Sequence, residues 1–397
     1  MGSSTLTPSA PLSIQGQSAP DVVVNPGAFY AATRRMRYPM KTLTTFAGFG
    51  GTDSVQLRQT GIVAALEIRV TGTMVFGGTI TGTTMSNRWP YNLASAVKLS
   101  ANGQSQLINC NGLQLKALEF ASNNDINDRG VARTLTATAA TQGTLSTAAE
   151  DWGTNGANQL GPGVTVGAIG TYTVDLDFVV PVAADQISLV GAVFAQSAAT
   201  NLTLDLQWET QANLLTLGGS ATLVPNLQYQ VTGVVYSIPN VGGQAVVPDL
   251  SQFHQVAGFR QAGQGAGDNE ILLPGTGVGR KLMRVLFQTY TGATPAPLPM
   301  TQANFGNLAW RYGGSDQPEG FPNGQALRYL NERQTSCDFG RFWGIGMWDF
   351  ASQFALRDVV DESYTSDLRL LINLVNAPTT PFVEIVQETL FAAPVGA

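Results

Sequence analysis

The chain has 397 residues, of which 44% are hydrophobic and only 12% are charged, and its formal net charge is −6. Because globular chains carry roughly 25% charged residues, much of this surface is expected to be neutral and polar or to be buried against other subunits. The negative net charge argues against a polyanion-binding protein, and no run of about 18 apolar residues offers a membrane-spanning helix.

The N-terminal region contrasts with the rest of the chain. Residues 1–25 are rich in Ser, Pro, Gly and Gln without periodicity, which is typical of a flexible arm. In the next segment, NPGAFYAATRRMRYPMK, Asn25 is suited to cap a short helix. This segment has no acid but four cations, Arg34, Arg35, Arg37 and Lys41. We predict an arm over residues 1–42 whose basic cluster is either a solvated helix face or strand edge, or a surface facing lipid head groups or nucleic acid.

From Leu43 onward, apolar residues recur with a period of two, which predicts β-strands. In GIVAALEIRVTGTMVF, the even-numbered apolar residues from Ile62 to Val70 share one face. The segment SAVKLSANGQSQLIN predicts a hairpin with an Asn-Gly turn. Further strands are predicted in TYTVDLDFVV, LTLDLQW and LQYQVTGVVYSIP. In the second half they are predicted in SQFHQVAGFRQ, RKLMRVLFQTY, NFGNLAWRYGG, FWGIGMWDF, SDLRLLINLV and TPFVEIVQETLF.

One short pattern occurs twice: NGLQLKAL at 111–118 and NGQALRYL at 323–330. Each predicts a helix that begins within a few residues of its Asn and packs through leucines three residues apart, and Asn111 is suited to be an N-cap. The leucines expected in the core are Leu115, Leu118, Leu327 and Leu330. Two other landmarks recur in the same order at nearly the same separation, Gly61 with Gly277 and Asn92-Leu93-Ala94 with Asn307-Leu308-Ala309. These matches indicate an internal duplication of a unit with the size of an eight-stranded sandwich.

Three segments without strand periodicity complete the layout. Residues 122–167 form a long Thr/Ala-rich segment without a motif, and a loop of that length is usually functional or an interaction surface. A second, Gly-rich loop is predicted over residues 262–279. The segment PNVGGQAVVPDL resembles a hinge, so the predicted domains cover residues 43–238 and 239–397.

Residues suited to catalysis are few. His254 is the sole histidine, and it lies in a predicted strand without a carboxylate at a useful spacing, so we interpret it as structural. Asp175 and Asp177 would serve a polysaccharide-degrading enzyme as a carboxylate pair, but the solvated face of an antiparallel strand explains them more simply. Cys110 and Cys337 are too few for a disulfide framework or a four-ligand zinc site and are expected to be reduced. The sequence therefore predicts no catalytic, metal or cofactor site.

Tryptophans support one alternative function, a carbohydrate-binding β-sandwich such as a spike, adhesin or lectin. Aromatic rings can stack on sugars, and the rings considered are Trp89, Trp152, Trp310, Trp343 and Trp348. Most of them are nevertheless expected to lie in the core or at interfaces.

The layout resembles the double jelly-roll major capsid proteins of tailless, membrane-containing icosahedral phages, the tectivirus-like group. The resemblance rests on the chain length, the N-terminal arm, and the strands QTGIVAALEIRVTGT and LTLDLQWE. It also rests on LQYQVTGVVYSIPN, which closes the first half, and on the similar second half. It implies an all-β fold of two tandem eight-stranded jelly rolls, each with one short α-helix.

The same resemblance implies a structural role without catalysis or cofactors. Homotrimers with a pseudo-hexagonal outline would tile an icosahedral virion shell over an internal membrane, after synthesis in the host cytoplasm. The implied partners are other copies of the chain, neighbouring trimers, and minor capsid or vertex proteins, without specific nucleic-acid recognition. The basic cluster would then face the interior and contact anionic lipid.

Overall fold

The structure is a computed structural model. It describes residues 22–86, 88–102, 105–122, 166, 169–196, 200–274, 279–291, 296–312, 316–335, 339–351, 359–361, 367–376 and 379–392. The first part of the predicted arm and nearly all of the predicted 122–167 loop lie outside these residues, as do Gly277, Trp152 and Cys337.

The first half of the chain contains β1 (Val22–Val24), α1 (Pro26–Ala32), β2 (Arg35–Thr45), β3 (Thr52–Gln56), β4 (Ile62–Gly77), β5 (Thr84–Met85), a 3-10 turn (Tyr91–Leu93), β6 (Ala94–Ala101), β7 (Ser105–Cys110), α2 (Gly112–Ser122), β8 (Gly170–Pro181), β9 (Val193–Phe194), β10 (Leu202–Trp208), α3 (Gln211–Leu214), β11 (Leu215–Thr216) and β12 (Thr222–Tyr236).

The second half contains β13 (Asn240–Val241), β14 (Gln244–Val247), β15 (Gln252–Ala262), β16 (Gly267–Leu272), β17 (Arg280–Thr291), β18 (Ala296–Pro297), β19 (Phe305–Tyr312), β20 (Asp316–Phe321), α4 (Gly324–Thr335), α5 (Phe339–Phe342), β21 (Ile345–Asp349), β22 (Val360–Asp361), β23 (Leu368–Leu374) and β24 (Phe382–Ala392).

Each half is a jelly roll. In roll 1, the strand order is β2-β12-β4-β8 in one sheet and β3-β10-β6-β7 in the other. In roll 2, the corresponding orders are β15-β24-β17-β21 and β16-β23-β19-β20. When the eight main strands of each roll are numbered along the chain, equivalent strands take the same places, and α2 and α4 both lie between the fifth and sixth strands. The all-β double jelly-roll prediction is confirmed, and the equivalent helices agree with the predicted duplication.

The two rolls share one sheet. β7 of roll 1 pairs in parallel with β15 of roll 2, with Ile108 opposite Val256 and Asn109 opposite Ala257. This pairing joins one four-stranded sheet of each roll into a continuous sheet and removes two free edges. Because the paired strands run in the same direction, the rolls stand side by side and point the same way.

Both repeat helices begin where the sequence predicted. The side-chain oxygen of Asn111 accepts a hydrogen bond from the Gln114 amide at 2.8 Å, and Gln114 Oε1 accepts one from the Asn111 amide at 2.9 Å. At the equivalent position Asn323 Oδ1 accepts a hydrogen bond from the Ala326 amide at 3.0 Å. The Asn residues therefore act as N-caps, and in α2 the cap is reciprocal.

The leucines of the two helices do not all reach the core. Leu115, Leu118 and Leu327 are buried, but Leu330 is only half-buried. In α4, Asn331 takes the buried position that was expected for Leu330. Its Nδ2 donates to the carbonyl oxygen of Met347, and its Oδ1 accepts from the backbone N–H of Met347. The predicted helix phase is therefore wrong at Leu330, because a polar residue with two backbone partners on β21 occupies the buried face.

The N-terminal boundary also differs from the prediction. Asn25 caps α1 as expected, with its Oδ1 accepting from the Ala28 amide at 3.0 Å. However, β2 already begins at Arg35 and pairs with β12, so residues 35–42 belong to roll 1 and not to the arm. The predicted hinge falls between β12 and β15, where β14 and β13 form a small sheet with β1.

We predict that Leu118→Ala lowers the free energy of unfolding by about 2–5 kcal/mol, since a buried side chain leaves a cavity. Leu330→Ala, at a half-buried position, should cost less than about 2 kcal/mol. Denaturant unfolding of the two variants and the parent chain measures both losses. Equal losses would mean that the two helices pack alike, contrary to the structure.

Candidate functional site

The junction between the rolls is built around β24, which is buried on both faces. Val383 and Ile385 point into the core of roll 2, whereas Val386 belongs to the core cluster of roll 1. Glu384 and Glu388 share the parity of Val386 and therefore face roll 1. Burying a carboxylate costs free energy unless it is paired. These two glutamates therefore require cations or hydrogen-bond donors around them.

Glu388 lies in a quartet of buried charged side chains. Its Oε2 accepts a hydrogen bond from Arg284 Nη1 at 2.8 Å, and its Oε1 lies 3.0 Å from His254 Nε2. Arg284 Nε also donates to Asp349 Oδ1 at 3.0 Å. All four side chains are at most 4% exposed. The quartet thus combines two carboxylates, one guanidinium and the single imidazole of the chain.

The quartet belongs to roll 2 but contacts roll 1 at two points. His254 Nδ1 lies 2.9 Å from the carbonyl oxygen of Pro181, the last residue of β8. Arg284 Nη1 reaches Ser122 Oγ at the end of α2, at 3.4 Å. Gly191 permits the close approach of the roll 1 turn, because its φ is +82° and a Cβ there would stand 2.5 Å from His254 Cβ.

The electrostatics of the quartet favour the charged forms of Glu388 and Arg284. Burial raises the pKa of Glu388, but Arg284 and His254 outweigh it and lower the pKa to about 2. Burial lowers the pKa of Arg284, and its two carboxylate partners raise it by more. Burial has the larger effect at Asp349 and raises the pKa of that carboxyl despite Arg284. The stability that Glu388 contributes is therefore fully present when the pH is above 4.5, the ordinary pKa of a glutamate. It is lost as the pH falls towards the folded-state pKa of about 2.

Glu384 forms a second contact between the rolls. Its Oε2 accepts from Asn111 Nδ2 at 3.4 Å and from Gln114 Nε2 at 3.5 Å, which are the capping residues of α2. The guanidinium of Arg88, from roll 1, lies 5.3 Å from the ring centre of Tyr290 in roll 2. Burial is the main reason that the pKa of Glu384 is raised, while its contacts with Tyr290 and Arg88 lower it. The N-terminus of α2 is thereby tied to β24.

Aromatic packing supplies the apolar part of the junction. Trp343, which follows α5 in roll 2, stacks on Phe120 of α2 with ring centres 6.3 Å apart and planes at 16°. It also meets Tyr91 of roll 1 edge to face at 5.7 Å. Such pairs contribute about 0.5–1.5 kcal/mol beyond the area they bury. The junction therefore combines paired charges with a packed aromatic cluster.

The residues considered for catalysis have structural partners. His254 belongs to the quartet, and sequence reasoning missed its acid because Glu388 lies 134 residues away. Asp175 accepts from Arg69 at 2.7 Å, and Asp177 lies 3.6 Å from Lys116, so each member of the suggested carboxylate pair has a cation of its own. Within the described residues, no group of three or more His, Cys, Asp and Glu side chains is placed to hold a metal ion.

The tryptophans suggested for sugar binding lie inside the protein wherever the structure describes them. Trp89, Trp310 and Trp343 are fully buried, and Trp348 is 2% exposed. Trp348 packs against Trp310 and Phe287 in the core of roll 2. None of these four rings can stack on a sugar at the surface.

The basic cluster is split by the fold. Arg37 donates to Glu67 at 2.9 Å on the neighbouring part of the sheet, and Lys41 is half-buried along the edge strand β2. Arg34 and Arg35 are exposed at the end of the rolls where β2 begins and β12 and β24 end. We call this end the base. Pro39 interrupts the hydrogen-bonding edge of β2 and, with the cations, protects it from pairing with other strands.

The base also displays apolar side chains near Arg34 and Arg35. Ile187 is 83% exposed in the turn after β8, and Tyr30 of α1 is 43% exposed and donates to the Ser188 carbonyl next to it. Among the described residues, no helix is long and apolar enough to cross a bilayer.

Comparison with known proteins identifies the fold. No protein-family model and no curated protein sequence match the chain. The crystal structure of the STIV major capsid protein is similar, with a TM-score of 0.64 and 13% identity over 90% of this chain and 97% of that one. A chain in the atomic structure of Sulfolobus Turreted Icosahedral Virus gives the same TM-score and identity over 90% and 91% of the two chains. The PBCV-1 virus capsid gives 0.53 and 11% over 92% and 96%. The chain therefore shares the double jelly-roll fold of these viral major capsid proteins.

We predict that Arg284→Met lowers the free energy of unfolding by about 3–5 kcal/mol, because it leaves two buried carboxylates without their cation. Arg69→Met is the matched control, since its ion pair with Asp175 is exposed and worth about 0–1 kcal/mol. Denaturant unfolding at neutral pH compares the variants. A loss at Arg284 no larger than that at Arg69 would contradict the assignment of the quartet.

Proposed function

We propose that this chain is a major capsid protein, a structural tile of a virion shell that acts without catalysis. The observation that carries the proposal is the double jelly-roll topology, repeated strand for strand in both halves. The likeness to the STIV major capsid protein extends over 90% of this chain and 97% of that one, so it includes both rolls and their junction. A shared topology over one roll alone would support no more than a β-sandwich.

The proposed assembly is a homotrimer with a pseudo-hexagonal outline that packs against neighbouring trimers in an icosahedral lattice. Two rolls that stand side by side in each chain provide six similar units in a trimer, and six such units approximate a hexagon. The low charge content of 12% suits a protein whose sides are covered by other copies. The joined sheet at the centre leaves fewer exposed strand edges, which protects concentrated copies from aggregation.

The outer sheet faces of the rolls have the polarity that this packing needs. On roll 1, Arg69 pairs with Asp175 across two strands. On roll 2, Glu270 lies between Arg311 and Arg369. A sheet face whose charges balance one another can approach another copy of the chain with little repulsion. The positions of those charges also favour one alignment of the two copies over others.

The base is proposed to face the interior of the shell and an internal membrane with anionic lipid. Arg34 and Arg35 are exposed there, beside the apolar side chains of Tyr30 and Ile187. Cations next to apolar side chains are the combination that binds at an anionic lipid surface. Minor capsid or vertex proteins are proposed as the remaining partners. A carbohydrate-binding function has less support, because the four described tryptophans considered for it are buried.

We expect the purified chain to form a stable trimer in solution. Size-exclusion chromatography with light scattering should give a mass about three times that of the 41.9 kDa chain, independent of dilution over the micromolar range. A monomer that is retained on a glycan column would support the carbohydrate-binding alternative, and turnover of a polysaccharide would support the enzyme. Either result would contradict the capsid proposal.

We further expect trimers to bind anionic liposomes at low salt and to release them at roughly 0.5 M salt, where screening acts over a few ångströms. Each cation near such a surface contributes about 1 kcal/mol. The double substitution Arg34→Gln and Arg35→Gln should therefore weaken binding at least about tenfold in a flotation assay.

The matched control is Lys98→Gln with Arg333→Gln, which removes two charges from the middle of β6 and from the end of α4. This control should bind liposomes like the parent chain. Equal binding by both double variants would remove the membrane-facing role of the base and leave Arg34 and Arg35 as protection of a strand edge.

A further inference from the structure

His254 is placed between two hydrogen-bond acceptors. Its Nδ1 lies 2.9 Å from the carbonyl oxygen of Pro181, which can only accept. Its Nε2 lies 3.0 Å from Oε1 of Glu388, a carboxylate whose other oxygen accepts from Arg284 Nη1 at 2.8 Å. A neutral imidazole carries one N–H and would set a lone pair against one of these oxygens. Only the imidazolium form donates to both.

We propose that His254 is held as an imidazolium and that the quartet is a proton-dependent lock between the two rolls. With His254 charged, the quartet has two cations and two anions and is balanced. With His254 neutral, Glu388 and Asp349 face Arg284 alone, and a buried negative charge is left over. Loss of the proton also breaks one contact of His254, either with Pro181 in roll 1 or with Glu388.

Charged, titratable and neutral polar groups face His254 from the elements packed around it. β24 contributes Glu388, β17 contributes Arg284 and β21 contributes Asp349. From roll 1, the end of β8 and the end of α2 offer a carbonyl and a hydroxyl. β7 contributes Cys110, a thiol whose pKa burial and Glu388 raise, so it stays neutral. The carboxylates and Arg284 are expected to keep their charges while the imidazole loses its own.

The lock concerns the folded chain itself and does not depend on the proposed capsid role. Its contacts include Pro181 and Ser122, so its release loosens the attachment of β15 and β17 to roll 1. The apolar part of the junction, with Trp343 on Phe120, includes no member of the quartet and stays in place. The expected result of raising the pH is a weaker junction and not an unfolded chain.

The first test is NMR of the ring nitrogens in the parent chain labelled with ¹⁵N-histidine. Because the sequence has one histidine, a single imidazole is observed. At neutral pH we expect two N-bound ring protons, both protected from exchange with solvent. A ring with only one bound proton at neutral pH would overturn the proposal, and this readout needs no substitution that threatens folding.

The second test compares the stability of the parent chain with that of His254→Gln from about pH 6 to about pH 9, the range around the ordinary titration of imidazole. Because the folded state binds the extra proton, the folding equilibrium constant of the parent should fall at least about tenfold over this range relative to that of His254→Gln. The double variant His254→Gln with Glu388→Gln, which restores charge balance, should be less destabilised than the sum of the single changes. Parallel pH profiles and additive losses would refute the lock.

Discussion

The double-sided burial of β24 is the constraint on which the architecture depends. One face closes the core of roll 2 through Val383 and Ile385, and the other carries Glu384 and Glu388 against roll 1. A strand with no solvent face cannot leave a carboxylate unpaired. The partners of these glutamates therefore fix the distance and the orientation between the rolls. The parallel pairing of β7 with β15 adds backbone hydrogen bonds to the same arrangement.

With these contacts, the junction is expected to hold the two rolls as one unit and not as two domains on a hinge. α2 is buried on nearly all sides because it lies between roll 1 and β24, whereas α4 buries a single stripe. The equivalent helices of a duplicated fold thus have different environments, since only the first lies inside the junction. A rigid pair of rolls is what a lattice tile requires, because its outline is set by the angle between them.

Much of the fold could be predicted from the sequence where the information is local. The Asn-Gly pairs at Asn111 and Asn323 marked both helix starts, and alternating apolar residues marked most strands. β2 was placed too late because its first half, RMRYPMK, contains charges and Pro39, as edge strands often do. Its apolar residues Met36, Tyr38 and Met40 do alternate with polar ones, but this signal was assigned to the arm. The Gly-rich segment 262–279 was predicted to be a loop, but it contains β16, whose few apolar residues include Ile271. The position of Leu330 was wrong because the hydrogen bonds of Asn331 depend on β21, which is distant in the sequence.

The junction itself lay beyond local patterns. The other three members of the quartet come from three other strands, and the parallel contact of β7 with β15 leaves no sequence signal. One signal was available: TPFVEIVQETLF is mostly apolar on both faces, and its two charged residues are glutamates four residues apart on one face. In a strand buried on both sides, such glutamates require buried cations, and Arg284 and the single histidine are the kinds of residue that supply them. The predicted strands alone did not permit this inference, because it also requires knowing that the two rolls are in contact.

The central claim is that this chain is a tile whose two locked rolls repeat around a three-fold axis. Cryo-electron microscopy of the purified full-length chain tests it most directly, since class averages show both the rolls and the symmetry. The account predicts three-fold particles with six similar lobes in a near-hexagonal ring, and with the paired lobes of each chain at a constant angle. Two-lobed particles without three-fold symmetry, or lobes that vary in their relative orientation, would contradict it.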